Sequence, residues 1–460
     1  MPDPWKGSAA AVRAVAALMV LLTASIASSV AMAQGKARLP LVRDAEIEAL
    51  LQDYTTPIFR AAGLGSGAIA VYIINDRRFN AFVTGRRMFI NTGAIMAAET
   101  PNEIIGVMAH ETGHVIGGHQ AGLRDRLDKA NLMAALAVIA GAGAAILGGE
   151  AGSAAGPALA LGGQSALLRS LLAYRRSEEA AADNTAIRLL TETRQSGRGI
   201  LRTMERFSQD LLFSGSRIDP YMQSHPMPRE RIALLENLAR ESPHFETSDP
   251  PELQLRHDMA RAKIAAYTGQ PGELQSLFAK DPQGAAARYG LAIALFLRGQ
   301  TAQAVPVIDR LIAEQPKNPY LYEMKGEMLL RGGDPAGATR ALQSAISLDR
   351  NKSGLIRVLL GHAMLETRDS TLVDKAIVEI KAGLSRDPSN ARGHGLLARA
   401  YAAKGEPDLA RAAAAEEAFY ATNIKDAQGL AKMAQPKLKH GSPEWLRMQD
   451  IIDYKPPKYK

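Results

Sequence analysis

The chain has 460 residues, 47% hydrophobic and 22% charged, which excludes a disordered polypeptide and exceeds what one ordinary core can hold. It contains no cysteine, which excludes a disulfide framework and any thiolate metal site, so a metal here must be held by His, Asp or Glu. The net charge of +8 is not gathered into a Lys/Arg run interleaved with aromatics, which argues against nucleic acid as a partner and leaves an anionic membrane surface or acidic partners.

Lys6 and Arg13 precede an apolar run from Ala14 to about Ala33 that ends Ala31-Met32-Ala33. This reads as a secretory signal peptide over 1–33, cleaved after Ala33; an uncleaved anchor is the alternative. Residues 43–63 place Ile47, Leu50, Leu51, Tyr54 and Ile58 at helical spacing and stop at Gly63 and Gly65, which predicts an opening helix. Ala68 to Ile74, Asn80 to Thr84 and Arg87 to Asn91 are short strand candidates. Thr100-Pro101-Asn102-Glu103 is a helix start, with Thr100 as cap, Pro101 at the first position and Glu103 completing a capping box.

That helix carries His110-Glu111-Thr112-Gly113-His114. Two His four apart lie on one face and can grip one ion, and the intervening Glu111 reaches the water rather than the metal. The third ligand has two candidates. His119 follows Gly117 but stands one residue early for the extended motif H-E-x-x-H-x-x-G-x-x-H, and on a continuing helix it would lie about 180° from His110. Downstream, Glu179 and Asp183 are one helical turn apart; Glu179 can bind the ion and Asp183 can accept the outer N–H of a ligand His. Glu178 points about 100° away from Glu179 on that helix.

Residues 131–168 hold one charged side chain, Glu150, with glycines interrupting the run. Neither half is long enough for a comfortable membrane span, so a buried or lid-like hairpin stands beside a peripheral membrane- or partner-touching one. From about 252 a repeat begins. Asp281-Pro282, Gln315-Pro316 and Asp387-Pro388 each precede a helix start, at 285, 319 and 391. Gly299, Gly333 and Gly405 share one unit position, and Ala304, Ala338 and Ala410 another. A period of 34 residues with small residues at these places resembles tetratricopeptide helix pairs. The unit 353–390 is four residues long in excess, and 253–280 reads as a degenerate first pair. The stretch 426–460 reads as a capping helix and basic tail. His244, His257, His362, His394 and His440 have no partner at metal spacing.

The motif order, the Glu179-x-x-x-Asp183 helix and Ser224-His225-Pro226 together resemble the HtpX-like and CAAX-prenyl-protease-type zinc peptidases. With the signal peptide and repeat tail, the chain is most similar to their periplasmic BepA-like branch. The resemblance covers roughly 43–240 and 252–425. It implies an α+β, mainly helical zincin-like metallopeptidase domain (34–245) followed by an all-α tetratricopeptide solenoid (252–425). It further implies one Zn2+ per chain on His110, His114 and Glu179, with Glu111 as base and Asp183 behind the ligands. His225 is implied as a fourth ligand that blocks the water site, and Arg231 as a cation near the developing oxyanion. Asn80-Ala81-Phe82 matches a pattern near a substrate-binding strand edge, although core packing is the preferred account of Phe82. The implied role is cleavage of unfolded or misassembled envelope proteins, with the repeats recruiting substrate or outer-membrane assembly machinery. The alternative is a chaperone or scaffold acting through the repeats, with proteolysis latent under His225.

Overall fold

The computed structural model describes residues 39–456 apart from 66, 120, 129–171, 214–219, 227–228, 269 and 271. The expected signal peptide, the apolar stretch 131–168 and the last four residues of the tail lie outside the described residues.

The opening helix is Ala45–Ala61, started by the Asp44 carboxylate, which accepts from the Ile47 N–H at 2.9 Å. Its predicted apolar face is the buried one: Ile47, Leu50, Leu51, Tyr54 and Ile58 all enter the main core. Three strands follow at Ala70–Ile74, Ala81–Thr84 and Arg87–Asn91. The last of these pairs parallel with Ala70–Ile74 and antiparallel with Ala81–Thr84, setting Val83 opposite Met88. Ala81–Thr84 lies at an edge of the sheet. The turn joining it to its neighbour contains Gly85 at φ +59, a conformation that favours glycine.

Helix Pro101–Ile116 crosses the core. Glu103 turns back to accept from the Thr100 N–H at 3.3 Å, so the capping box read from sequence is present. Every residue from Pro101 to His114 is buried. Two glycines make that possible. A Cβ on Gly106 would stand 2.8 Å from Ile200 Cβ, and one on Gly113 would stand 2.9 Å from the Ala182 carbonyl oxygen. Helix Arg198–Phe213 and the helical residues 172–192 therefore approach the motif helix closely. Pro220–Ser224 and Arg229–Glu241 complete this part.

The remainder is a solenoid of helix pairs from Pro251–Thr268 to Pro443–Asp453. Units begin at Ala285, Pro319, Gly354 and Ala391. Gly299, Gly333 and Gly405, which share one unit position, have φ of +78, +86 and +82, so each follows its helix in a left-handed turn. The long unit lacks that glycine; Arg368 takes φ +58 instead, and a 3-10 turn at Ser370–Leu372 absorbs the extra length. The C-terminal cap has two helices, Ile424–Ala434 and Pro443–Asp453, where the sequence suggested one. Pro251–Thr268 belongs to both halves: Ala260 and Ile264 join the first core, while Met259, Ala262 and Ala266 join the first core of the repeats. Among the described residues, no helix is long and apolar enough to cross a membrane.

Candidate metal centre

His110 and His114 project from one face of the motif helix, and Glu179 reaches them from residues 172–192 because Gly113 lets the two helices close. His225 arrives from the opposite side. Its N–H continues the short helix to the Tyr221 carbonyl at 2.8 Å, Pro226 then stops it, and the imidazole lies on the Tyr221 ring at 4.6 Å. Arg175 fastens this turn to the carboxylate helix by donating to the Ser224 carbonyl at 2.7 Å. All four side chains are buried.

Four side chains converge. His110 Nε2 lies 3.0 Å from His114 Nε2, 3.4 Å from Glu179 Oε2 and 3.4 Å from His225 Nδ1. Glu179 Oε1 lies 3.5 Å from His114 Nε2 and 3.1 Å from His225 Nδ1. A cation ~2.05 Å from four donors in a tetrahedron sets those donors about 3.3 Å apart, so the cluster has the size of a four-coordinate site for a small divalent ion. The donor set of three imidazoles and a carboxylate suits zinc chemistry.

The outer contact of His110 suits a cation at the centre. His110 Nδ1 lies 2.9 Å from Asp183 Oδ1 and faces away from the cluster. A proton on that nitrogen leaves the Nε2 lone pair pointing inward. Burial alone would hold His110 down, yet Asp183 and Glu179 outweigh it and raise the imidazole to about 9. The same negative field favours a metal cation there. Burial pushes Glu179 and Asp183 up, but hydrogen bonds from His110, His225 and Arg231 hold both carboxyls well below their usual range. Burial and the neighbouring His110 lower His114 to about 2, which leaves its ring neutral and able to ligate.

Glu111 sits beside the four donors, with Oε1 3.4 Å from His225 Nε2. Burial raises its carboxyl, opposed by His225, His110 and a hydrogen bond from the Val83 backbone. Val83 and Phe82 line a cleft of about 260 Å3 that opens onto Glu111, His114 and Glu179. Phe82 also stacks on Phe89 at 5.0 Å, so packing and cleft lining are both real.

Two further candidate residues are defined by their contacts. Arg231 is buried and gives its donors to Asp183 at 2.6 and 2.8 Å, to Glu179 at 2.8 Å and to the Pro226 carbonyl at 3.0 Å. It is thus turned onto carboxylates and is not an open donor facing the cleft. His119 does not sit across a continuing helix. The helix ends at Ile116, Gly118 takes φ +64, and the chain folds His119 back so that its Nδ1 lies 2.8 Å from His114 Nδ1. A Cβ on Gly117 would strike the His119 ring. Adjacent Gly117 and Gly118 were the signal in the sequence for this reversal. His119 is outside the converging cluster. So are His257, which pairs with Tyr54 and the Ala98 carbonyl, and His394, which pairs with Glu416.

Residues 42–239 match the description Peptidase family M48, and 273–328 and 368–424 match tetratricopeptide repeats. A beta-barrel assembly-enhancing protease of Yersinia pestis is 23% identical over 428 residues, covering 91% of this chain and 85% of its own. The protein of the same name from Escherichia coli (strain K12) is 24% identical over 393 residues, covering 83% and 77%. A putative one from Vibrio cholerae is 26% identical over 295 residues, covering 62% and 59%.

Proposed function

We propose, from the premise that this chain carries an M48 metallopeptidase domain joined to tetratricopeptide repeats, that it is a zinc-dependent endopeptidase of the cell envelope. The observation that carries this reading is the convergence of His110, His114, Glu179 and His225, with one donor atom from each within 4.8 Å of the others, beside the buried carboxylate of Glu111. His110, His114 and Glu179 would hold one zinc per chain, which when bound would supply the Lewis acidity that makes water a nucleophile near neutral pH.

Glu111 is the general base. Its burial favours holding a proton, which it takes from the attacking water and returns to the leaving amine. Asp183 fixes the His110 tautomer, and Arg231 holds Asp183 and Glu179 in place. The edge strand Ala81–Thr84 gives an extended substrate a main chain to pair with beside the cleft. The substrates are unfolded or misassembled outer-membrane proteins, and the repeats recruit them or the assembly machinery. The names of the relatives and the repeat architecture support that assignment. The signal-peptide reading of 1–33 puts the mature chain in the periplasm.

A second reading rests on His225. Its Nδ1 stands 3.1 Å from Glu179 Oε1 and its Nε2 faces Glu111, so in this conformation it would be a fourth ligand and would take the place of the attacking water. The resting protein is then a latent protease that acts first as a scaffold. Two variants separate the readings. Glu111→Gln is expected to keep zinc and lose casein cleavage by about 10^2–10^4-fold. His225→Ala is expected to cleave faster than the parent. If Glu111→Gln also restores an envelope-stress defect as well as the parent does, the protease-first reading is lost and the scaffold reading stands.

A further inference from the structure

The four-donor cluster leaves one ligand imidazole unexplained. His110 has Asp183 behind it at 2.9 Å, but Asp183 is committed to His110 and Arg231, and among the described residues no carboxylate touches the outer nitrogen of His114. That nitrogen meets His119 instead, Nδ1 to Nδ1 at 2.8 Å, with the rings nearly perpendicular at 81°. His119 in turn places Nε2 3.3 Å from Glu178 Oε2, a buried oxygen that completes no hydrogen bond among the described residues and so is open to this ring.

Two imidazole nitrogens at 2.8 Å need one hydrogen between them. His114 commits its Nε2 lone pair to the centre, so its hydrogen sits on Nδ1 and is donated to His119. His119 accepts there, which puts its own hydrogen on Nε2, the nitrogen that faces Glu178. Every link then has one donor and one acceptor. Glu178 is fixed in turn by the Tyr174 hydroxyl, and the Arg126 guanidinium covers the Tyr174 ring at 3.9 Å.

The backbone is shaped for this contact. Gly117 and Gly118 reverse the chain against its own last turn, and side chains at Gly117 or Gly122 would collide with His119 and Tyr174. Glu179 and Asp183 share one face of their helix, while Glu178 lies on the next, one imidazole away from His114. His119 spans that gap.

We propose that His119 is a positioning residue: with Glu178 it forms a relay, His114 to His119 to Glu178, that fixes the tautomer and ring plane of His114 as Asp183 does for His110. The relay rests on the zinc reading given above, and it assigns His119 a role as an orienter of a ligand. Outer-shell partners of this kind change metal affinity about 10–100-fold.

The test is zinc affinity of the purified full chain by chelator competition, together with the visible spectrum of the cobalt-loaded protein. His119→Ala and Glu178→Ala are each expected to weaken zinc binding about 10–100-fold. His119→Gln is expected to stay near the parent, because its amide oxygen can accept from His114 while its amide NH2 donates to Glu178. The cobalt spectrum should shift in His119→Ala and return in His119→Gln. Unchanged affinity in both alanine variants would overturn the relay. So would a His119→Gln protein that is folded by circular dichroism yet as weak as His119→Ala, since the ring would then serve only to fill space. A parent that binds no zinc would remove the metallopeptidase reading itself; a parent with one zinc and unaffected variants removes the relay alone.

Discussion

Arg231 shows how a buried residue in this site is judged by what it touches. Its guanidinium neutralises Asp183 and Glu179, and all three are buried. Burial works against the charge on Arg231, but the two carboxylates hold its pKa above the ordinary value. Removing one member of such a group leaves the others charged without a partner, which costs about 3–5 kcal/mol. Arg231→Met is therefore expected to lower the unfolding free energy of the metal-free protein by about 3–5 kcal/mol, read as a fall in its urea midpoint. Saturating zinc should recover part of the loss, because a cation also neutralises Glu179. A donor for an oxyanion would behave otherwise, with stability unchanged and only turnover reduced. Unfolding curves with and without chelator distinguish the two roles. The residue types needed for this group were visible in the sequence, and so was the one-turn spacing of Glu179 and Asp183. The partner of Arg231 was not, because the contact spans 48 residues and depends on how two helices dock.

Between elements, the site depends on close helix contact more than on any one ligand. Gly113 separates Thr112 from His114 within the motif, and a Cβ there would stand 2.9 Å from the Ala182 oxygen and 3.0 Å from its Cα. Both are backbone atoms and cannot rotate away. Gly113→Ala should raise intrinsic helix propensity yet cost about 1–3 kcal/mol through overpacking. Because the displaced helix carries Glu179, zinc affinity should fall with it; an unchanged affinity by chelator competition would show that the helices have room. A second contact between elements is His257, which joins Tyr54 at 2.9 Å and the Ala98 carbonyl at 3.0 Å. Burial, aided by Arg261, lowers its imidazole from 6.5 to about 4. The folded protein thus binds fewer protons than the unfolded chain between those values. Stability from this group is full above pH 6.5 and is lost as pH falls toward 4, by about 3 kcal/mol. His257→Gln should flatten that part of the profile, seen as a smaller drop in unfolding midpoint between pH 7 and 4.5 than in the parent. Helix starts were readable from local chemistry at Thr100 to Glu103 and at the repeat prolines, because caps act over three or four residues. The return of His119 onto His114 was not read from the motif, since a rotation angle holds only while a helix continues. The two glycines that end it had to be weighed as a break.

At the scale of the whole molecule, helix Ala45–Ala61 is gripped from both sides. Its Ile47, Leu50 and Tyr54 enter the peptidase core, while Ala45 and Ala49 pack with Tyr320, Ala338 and Leu342 of the repeats. A charged cluster sits at the same junction. Lys263 Nζ lies 2.7 Å from Asp44 and 3.3 Å from Glu46, and the Tyr289 hydroxyl donates to Glu46 at 2.8 Å. Lys263, Glu46 and Tyr289 are all buried. Burial pushes Lys263 down and Glu46 up, but Asp44, Glu46 and their neighbours carry Lys263 well above its ordinary value, so the lysine stays charged. Lys263→Met leaves Glu46 buried with only a hydroxyl partner, a loss of about 3–5 kcal/mol. Lys263 stands on Pro251–Thr268, which supplies side chains to the peptidase core and to the first repeat core alike. The loss should therefore reach both halves. Calorimetry of the variant is expected to give one transition, lower than that of the parent, with zinc raising the whole of it. Two separated transitions, with only the one insensitive to zinc displaced, would show that the halves unfold independently and that the shared helix does not couple them.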